Sequence, residues 1–378
     1  MKITRLFWLI ATALFVATSC EDIDTVKNIS ISCHTQGLKD GANSLPASWG
    51  AEEQIYLFRS EDWSVALMSL ASDAGSEWAR FSGNTAGTKS GYYAITPASS
   101  VGAIFDNGLL EVAVEPRNIF TASENSVTVT PQVATGQGSL TFAPIFGALK
   151  FNVGIDAVSF AEVNVPNKEH GLYGSYIYNM PLGAITEAKV AYSVSRVASE
   201  PIDIASDKAL YVALPSGEYQ SVDLVVRDDK AGISKLFKAE AVEVEQGRVT
   251  KVDVSAKELS FIVGSWHIKS FCGEAADVDL YIRFDYMGCF TILQRSGDMA
   301  YIEYVGTYEI DSENSVISGE YSDGEKWADS YKFSLNSNSE LVLESLSESG
   351  EVTTYESSEM PEVHISRVST QTTMAKPL

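Results

Sequence analysis

Residues 279–288 read Asp-Leu-Tyr-Ile-Arg-Phe-Asp-Tyr-Met-Gly. Leu280, Ile282 and Phe284 alternate with Tyr281, Arg283 and Asp285, and the run stops at Tyr286-Met287-Gly288. Alternation at period two puts three apolar side chains on one face of a strand and the polar ones on the other. The turn then brings the next apolar run back beside it. The same unit repeats on both sides: strands are expected near 265–271, 279–285, 288–294, 301–310, 315–321, 329–335, 340–346 and 352–357. Turns such as Ser322-Asp323-Gly324 and Ser347-Glu348-Ser349-Gly350 join them. Eight short strands in a meander predict a closed antiparallel barrel, which leaves no exposed sheet edge.

The chain before this region is also β. Ile29 and Ile31, the run Ile55–Phe58, Tyr92–Ile95 ending at Pro97, Leu109–Val114, Leu140 and Phe142 all read as strands between Gly, Pro, Asn, Asp and Ser clusters. So do Leu149, Phe151 and Val153, then Leu210, Val212 and Leu214, then Val222, Leu224 and Val226, then Thr250, Val252 and Val254. Only Val65–Ala71 tempts a helical reading. Strands at this spacing predict sandwiches of antiparallel sheets.

Three blocks carry a resemblance. Trp49-Gly50-Ala51-Glu52-Glu53-Gln54-Ile55-Tyr56-Leu57-Phe58, Gly91-Tyr92-Tyr93-Ala94-Ile95-Thr96-Pro97-Ala98-Ser99 and Phe146-Gly147-Ala148-Leu149-Lys150-Phe151-Asn152-Val153 are similar to blocks of the Bacteroidales fimbrillin-like lipoproteins. The chain departs from the family's pattern at Glu53-Gln54, where Gly-Asp is usual, and at Thr96, where a second Tyr is usual. The order of strands and turns over 210–254 resembles the second sandwich of that family. Gly264-Ser265-Trp266 at the first strand of the meander resembles the lipocalin start motif, which implies that Trp266 lies at the barrel floor. The expected architecture is all-β: two tandem fimbrillin-like β-sandwiches, 28–155 and 156–257, then an eight-stranded antiparallel lipocalin-like barrel, 260–367. The stretch 368–378 reads as a disordered tail.

The N-terminus reads as an export signal. Lys2 and Arg5 precede the apolar run Leu6–Val16, which is too short to span a bilayer. Ala17, Thr18 and Ser19 lead into Cys20, and this resembles a bacterial lipobox, with residues 1–19 as signal peptide, Cys20 as the lipidated residue and 20–27 as leader. The alternative is an ordinary secretory signal beside an unrelated cysteine. Two or three acyl chains give stable anchoring, so the membrane is an expected partner through lipid and the outer membrane the expected location. Glu21, Asp22 and Asp24, by the same resemblance, imply display on the outer face of the cell.

The sequence holds 27 Lys and Arg against 50 Asp and Glu, a formal net charge of −23. That sign opposes nucleic acid and anionic membrane surfaces. The region from Glu258 onward, with 21 acidic and 7 basic residues, is its most acidic part. Cys33, Cys272 and Cys289 remain after lipidation; their spacing fits no metal motif, and in a meander Cys272 and Cys289 fall too far apart to bridge.

No P-loop, zinc motif or nucleophile elbow is present, and no carboxylate pair stands out from the general acidity. The expectation is a protein without catalytic residues, metal or cofactor. Asp323, Glu325 and Asp329 around Gly324 lack the ligand order of an EF-hand and read as a solvated turn. The candidate ligand-stacking aromatics are Trp63, Trp78, Tyr321, Trp327 and Tyr331, all beside loops, with core packing as the plain alternative. A packed barrel is expected, and one that holds a small ligand is the alternative. The functional reading is adhesion or fimbrial accessory work, at a tip or anchor, with other fimbrillin subunits as partners. The second reading is a surface protein that binds glycans or small apolar ligands through the barrel. Fimbrillins polymerise by strand addition at a sheet edge; a strand followed directly by a folded barrel is not free to do so, and no self-polymerisation is expected.

Overall fold

A computed structural model describes residues 25–296, 300–347, 351–361 and 378. It is all-β, with three 3-10 turns as the only helical elements among the described residues.

Seven strands make a first closed barrel: Lys27–Thr35, Gln54–Arg59, Val65–Ser72, Trp78–Thr85, Tyr92–Thr96, Gln132–Gly136 and Ser139–Pro144. Lys27–Thr35 closes it. That strand runs antiparallel to Trp78–Thr85 and parallel to Ser139–Pro144, so the two faces of the expected sandwich are joined at their edges. Alternation fills the interior with Ile31, Cys33, Leu57, Met68, Phe81 and Phe142. Trp49, 1% exposed, sits among them edge-on to Phe81 and Phe142 at 4.9 and 5.2 Å. Its Nε1 donates to the Glu77 carbonyl at 3.0 Å, the partner that a buried indole needs.

The next strands do not stay in that barrel. Val101–Ile104 and Leu109–Val114 join Tyr173–Asn179 and Ala184–Ala191 in one sheet. Phe146–Asn152 pairs antiparallel with Ala209–Pro215 and parallel with Val249–Val252. Sheet pairing therefore crosses the junction expected at 155/156. Ala209–Pro215 is buried along its whole length because its sheet is a middle layer. Leu210, Val212 and Leu214 face the core of a five-stranded sheet; Ala209, Tyr211 and Ala213 face the layer of Leu110 and Tyr176. The five-stranded sheet has the order Ser193–Asp203, Ala157–Asn164, Gly217–Asp228, Ile233–Val244, Lys257–Ser260.

The C-terminal barrel has the expected meander. Its strands are Gly264–Phe271, Asp279–Phe284, Cys289–Ser296, Ala300–Asp311, Val316–Tyr321, Tyr331–Leu335, Leu341–Ser345 and Val352–Ser357. Each pairs antiparallel with the next, and the first pairs with the last. Leu280, Ile282 and Phe284 point inward, as the alternation predicts. The ladder between Val316–Tyr321 and Tyr331–Leu335 holds at only two positions. There the connection folds back onto the strand: Tyr321 N–H donates to Glu325 O at 2.7 Å and Trp327 N–H to Gly319 O at 2.9 Å. Trp327 then fills the wall against Phe290, 5.1 Å between centroids. A Cβ at Gly319 would lie 2.4 Å from the Trp327 ring, so this close approach requires glycine. Trp266, fully buried, donates from Nε1 to Ile262 O at 2.8 Å. Phe284, Phe290, Tyr308, Tyr321 and Phe333 share its core. Of the expected tail, Leu378 alone is described; it is buried in this core and bonded to Tyr321 Oη. No disulfide links the described cysteines.

Candidate functional site

The site is built at the seam where the five-stranded sheet meets the C-terminal barrel. Arg227 stands near the end of Gly217–Asp228, where an apolar run turns polar. It is 1% exposed and lies between two rings, 4.0 Å from the Trp266 centroid and 4.9 Å from Phe160. Its Nη1 donates to Ser357 Oγ at 2.9 Å, while Nε and Nη2 have no hydrogen-bond partner. Burial pulls this guanidinium down to about 10. A desolvated cation on ring faces gains a few kcal/mol at most, on the order of 2. Gly264 makes room for it: a Cβ there would lie 2.4 Å from Arg227 Nη2.

Arg283 comes from the other side. It is an outward residue of Asp279–Phe284, and the sheet receives it. Its Nε and Nη2 donate to the two oxygens of Glu162 at 2.9 and 2.6 Å, a bidentate pair. Nη2 also reaches Asn164 and Ser193. Glu162 is 4% exposed, and Asn164 Nδ2 donates to it at 2.8 Å. Burial alone would lower Arg283; the Glu162 carboxylate outweighs it and holds the guanidinium above its usual value. Nearby, Tyr286 Oη donates to Asp223 Oδ2, and burial followed by that carboxylate pushes the phenol up.

Beside this ion pair opens a cleft of about 680 Å³. Glu162, Tyr173, Ser193, Ser195, Ser265 and Arg283 line it together with Glu359–Pro361. Ser265 is fully buried and its hydroxyl has no hydrogen-bond partner. Glu359 accepts from Val197 N–H at 3.2 Å, which ties the segment leaving the barrel to the lateral strand Ser193–Asp203. The arrangement offers donors and acceptors around a neutralised ion pair. Among the described residues no group of three or more His, Cys, Asp or Glu is placed to hold a metal.

No family model and no curated protein matches the chain. Three solved structures do. One is the tip fimbrial protein Mfa3 of Porphyromonas gingivalis, at 7% identity and TM-score 0.32, over 61% of this chain and 99% of that one. A fimbrial assembly protein of Parabacteroides distasonis matches at 7% identity and TM-score 0.29, over 71% of this chain and 96% of that one. A putative cell adhesion protein of the same organism matches at 8% identity and TM-score 0.23, over 62% and 84%.

The five aromatics named from sequence are not brought together. Trp63 is half-buried and stacked on Tyr93 at 5.0 Å. Trp78 is 54% exposed and stacked on His34 at 4.3 Å. Tyr321 and Trp327 are buried in the barrel, and Tyr331 packs against Trp327. Three of the five thus serve the barrel core, because the connection that carries Trp327 folds inward. Asp329 anchors a turn: Ser345 Oγ, Ser347 and the Ser330 N–H donate to it. Burial pulls its carboxyl up, and these bonds outweigh it and hold it at about 2. Cys20, with the signal 1–19, lies outside the described residues. Sequence reasoning missed Arg227, Glu162 and Ser265; an arginine inside the run Val225-Val226-Arg227 was the one available signal.

Proposed function

We propose that this protein is a non-catalytic, surface-anchored lipoprotein of the outer membrane, held by acylated Cys20, and that it does adhesion or fimbrial accessory work at a tip or anchor. The observation that carries the reading is the seating of the blocks that resemble fimbrillin-like proteins. Trp49 is the centre of the first core, Tyr92 and Ala94 line the same core, and Phe146–Asn152 lies between two partner strands in the middle layer. These blocks are the framework of the fold, not incidental matches on its surface.

An accessory rather than a shaft role rests on the C-terminal seam. Lys257–Ser260 is paired to Ile233–Val244, and the barrel that follows is fastened to the sheet by Arg227, Arg283 and Tyr286. Donation of a strand to a neighbour needs a strand that is free to leave its own sheet. Here Lys257–Ser260 is an edge strand that is paired to Ile233–Val244 and runs on into the barrel, so it is not free to leave its sheet for a neighbour.

The test is surface labelling of intact cells together with co-sedimentation with the cells' own fimbriae. The wild-type protein is expected on the surface and in the fimbrial fraction, and Cys20→Ser is expected to be released from membranes. Full membrane partitioning of Cys20→Ser contradicts the anchor; absence from every fimbrial fraction contradicts the accessory role.

A further inference from the structure

We propose that three apolar turns at one end of the molecule seat in the lipid surface that holds Cys20, so that the protein meets the membrane through its own side chains as well as through acyl chains. The proposal rests on the lipid-anchor reading and goes beyond it.

The turns are 59–65 of the first barrel and 104–109 and 179–184 of the four-stranded sheet. Contacts gather them. Asn179 pairs with Leu109, and Met180 N–H donates to Gly108 O at 3.0 Å, so the last two lie side by side. A Cβ at Gly108 would lie 2.5 Å from the Trp63 ring, so the barrel turn touches them. Their outer side chains are apolar and open to solvent: Val65 is 45% exposed, Ile104 42%, Phe105 46% and Leu182 77%, with Pro181 exposed beside it. Large apolar groups clustered at a surface mark contact with a membrane or a partner. Charge is nearly absent from the two hairpin turns. Over 101–110 and 177–186 Asp106 is the one charged residue, on a chain of net charge −23. In the barrel turn Glu61 and Asp62 both face Arg59, at 3.9 and 3.1 Å.

The place of the anchor selects lipid as the occupant. Lys27 lies opposite Thr85, and Ser82 lies opposite Ser69, all in antiparallel pairs. The start of Lys27–Thr35, the end of Trp78–Thr85 and the start of Val65–Ser72 therefore share one end of the barrel, the end that carries turn 59–65. From Cys20 to Lys27 there are seven residue steps, a reach of at most about 25 Å. This end is the one that an acylated Cys20 brings to the bilayer. An apolar surface held there sinks about 5–10 Å into the boundary between headgroups and acyl chains. The uncharged hairpin turns need no anionic lipid for this, which the net charge of the chain would oppose. Half-buried Trp63 adds an indole, the ring suited to that boundary.

The experiment uses the full-length protein isolated from cell membranes and reconstituted into phosphatidylcholine vesicles. The mass of the Cys20 peptide reads the anchor. Photo-crosslinking from benzoylphenylalanine in place of Phe105, Leu182 or Trp78 reads the contact; Trp78 is 54% exposed at the opposite end of the first barrel. Lipid adducts are expected from positions 105 and 182, roughly tenfold above those from 78. Leu182→Asp is expected to lower the adducts from position 105 roughly tenfold, with Cys20 still acylated. Acylated protein without lipid adducts from 105 and 182 overturns the proposal alone. So do equal adducts from all three positions, or, in whole cells, adducts to a protein in place of lipid. An unmodified Cys20 overturns the anchor reading and the proposal with it, so the two failures are distinguishable.

Discussion

In the C-terminal barrel every strand pairs with its sequence neighbour, and a single long-range pairing, Gly264–Phe271 with Val352–Ser357, completes the ring. In the first barrel Lys27–Thr35 waits for Trp78–Thr85 on one side and Ser139–Pro144 on the other, and the chain leaves for another sheet over 101–114 before it returns. Loop closure must be completed before such contacts form, and local pairings form first. One barrel is thus built from pairings between sequence neighbours, and the other is closed by a strand that pairs far along the chain.

The comparison predicts its own largest effect. Residues 260–367 expressed alone fold and unfold in one cooperative transition in urea, because the strand ladder of this barrel is internal to it. Residues 25–155 expressed alone keep the first barrel's own ladder, but Leu109–Val114 loses Tyr173–Asn179 and Phe146–Asn152 loses both its partners, so this fragment unfolds at lower urea than 260–367. A 25–155 fragment as stable in urea as 260–367 breaks the comparison, as does a 260–367 fragment that folds only in fusion.

The seam sharpens it further. Arg283→Ala leaves Glu162 buried without its partner, and the expected loss is about 3–5 kcal/mol in urea unfolding of the whole chain. Joint replacement, Arg283→Met with Glu162→Gln, returns most of that. Arg227→Met behaves in the opposite way, within about 1 kcal/mol of wild type or more stable, since two of its nitrogens are buried without partners. Equal losses for the two arginines contradict the geometry.

The smallest effect is acidic. Glu61 is held at about 2, first by the Thr88 hydroxyl and then by the N–H groups of Ser90 and Lys89. Asp329 is held at about 2 by Ser345, Ser347 and Ser330 against the opposing pull of burial. Both folded values lie below the unfolded ones, about 4. Their contribution is therefore complete above about pH 4 and fades as pH falls toward 2. Glu61→Gln in the first barrel and Asp329→Asn in the second are less stable than wild type at pH 6, and the differences shrink to nothing near pH 2. A difference that stays constant over this range contradicts the assignment.

How much was legible follows from the same contrast. Leu280, Ile282 and Phe284 declared their strand, its face and its neighbours, because alternation and the next turn lie within a few residues. Arg283 was legible as outward, but its partner Glu162 is on a distant strand and no local pattern names it. Ala209–Pro215 shows the limit of alternation: Leu210, Val212 and Leu214 were read as the buried face, yet Ala209, Tyr211 and Ala213 are buried too, since two layers cover the sheet. Trp327 looked like a loop ring because its segment is rich in turn residues; the fold-back onto Gly319, which brings it into the wall, depends on tertiary closure. The candidate cleft was illegible for the same reason, since Ser193, Ser265 and Arg283 meet only at the seam.

The central claim is that the barrel is clasped to the second unit, so that the strands before it are not released to a neighbouring subunit. Electron microscopy of purified residues 21–378, before and after limited trypsin treatment, tests it most directly. The account predicts single particles in both samples. Regular homopolymeric fibres in either one contradict it.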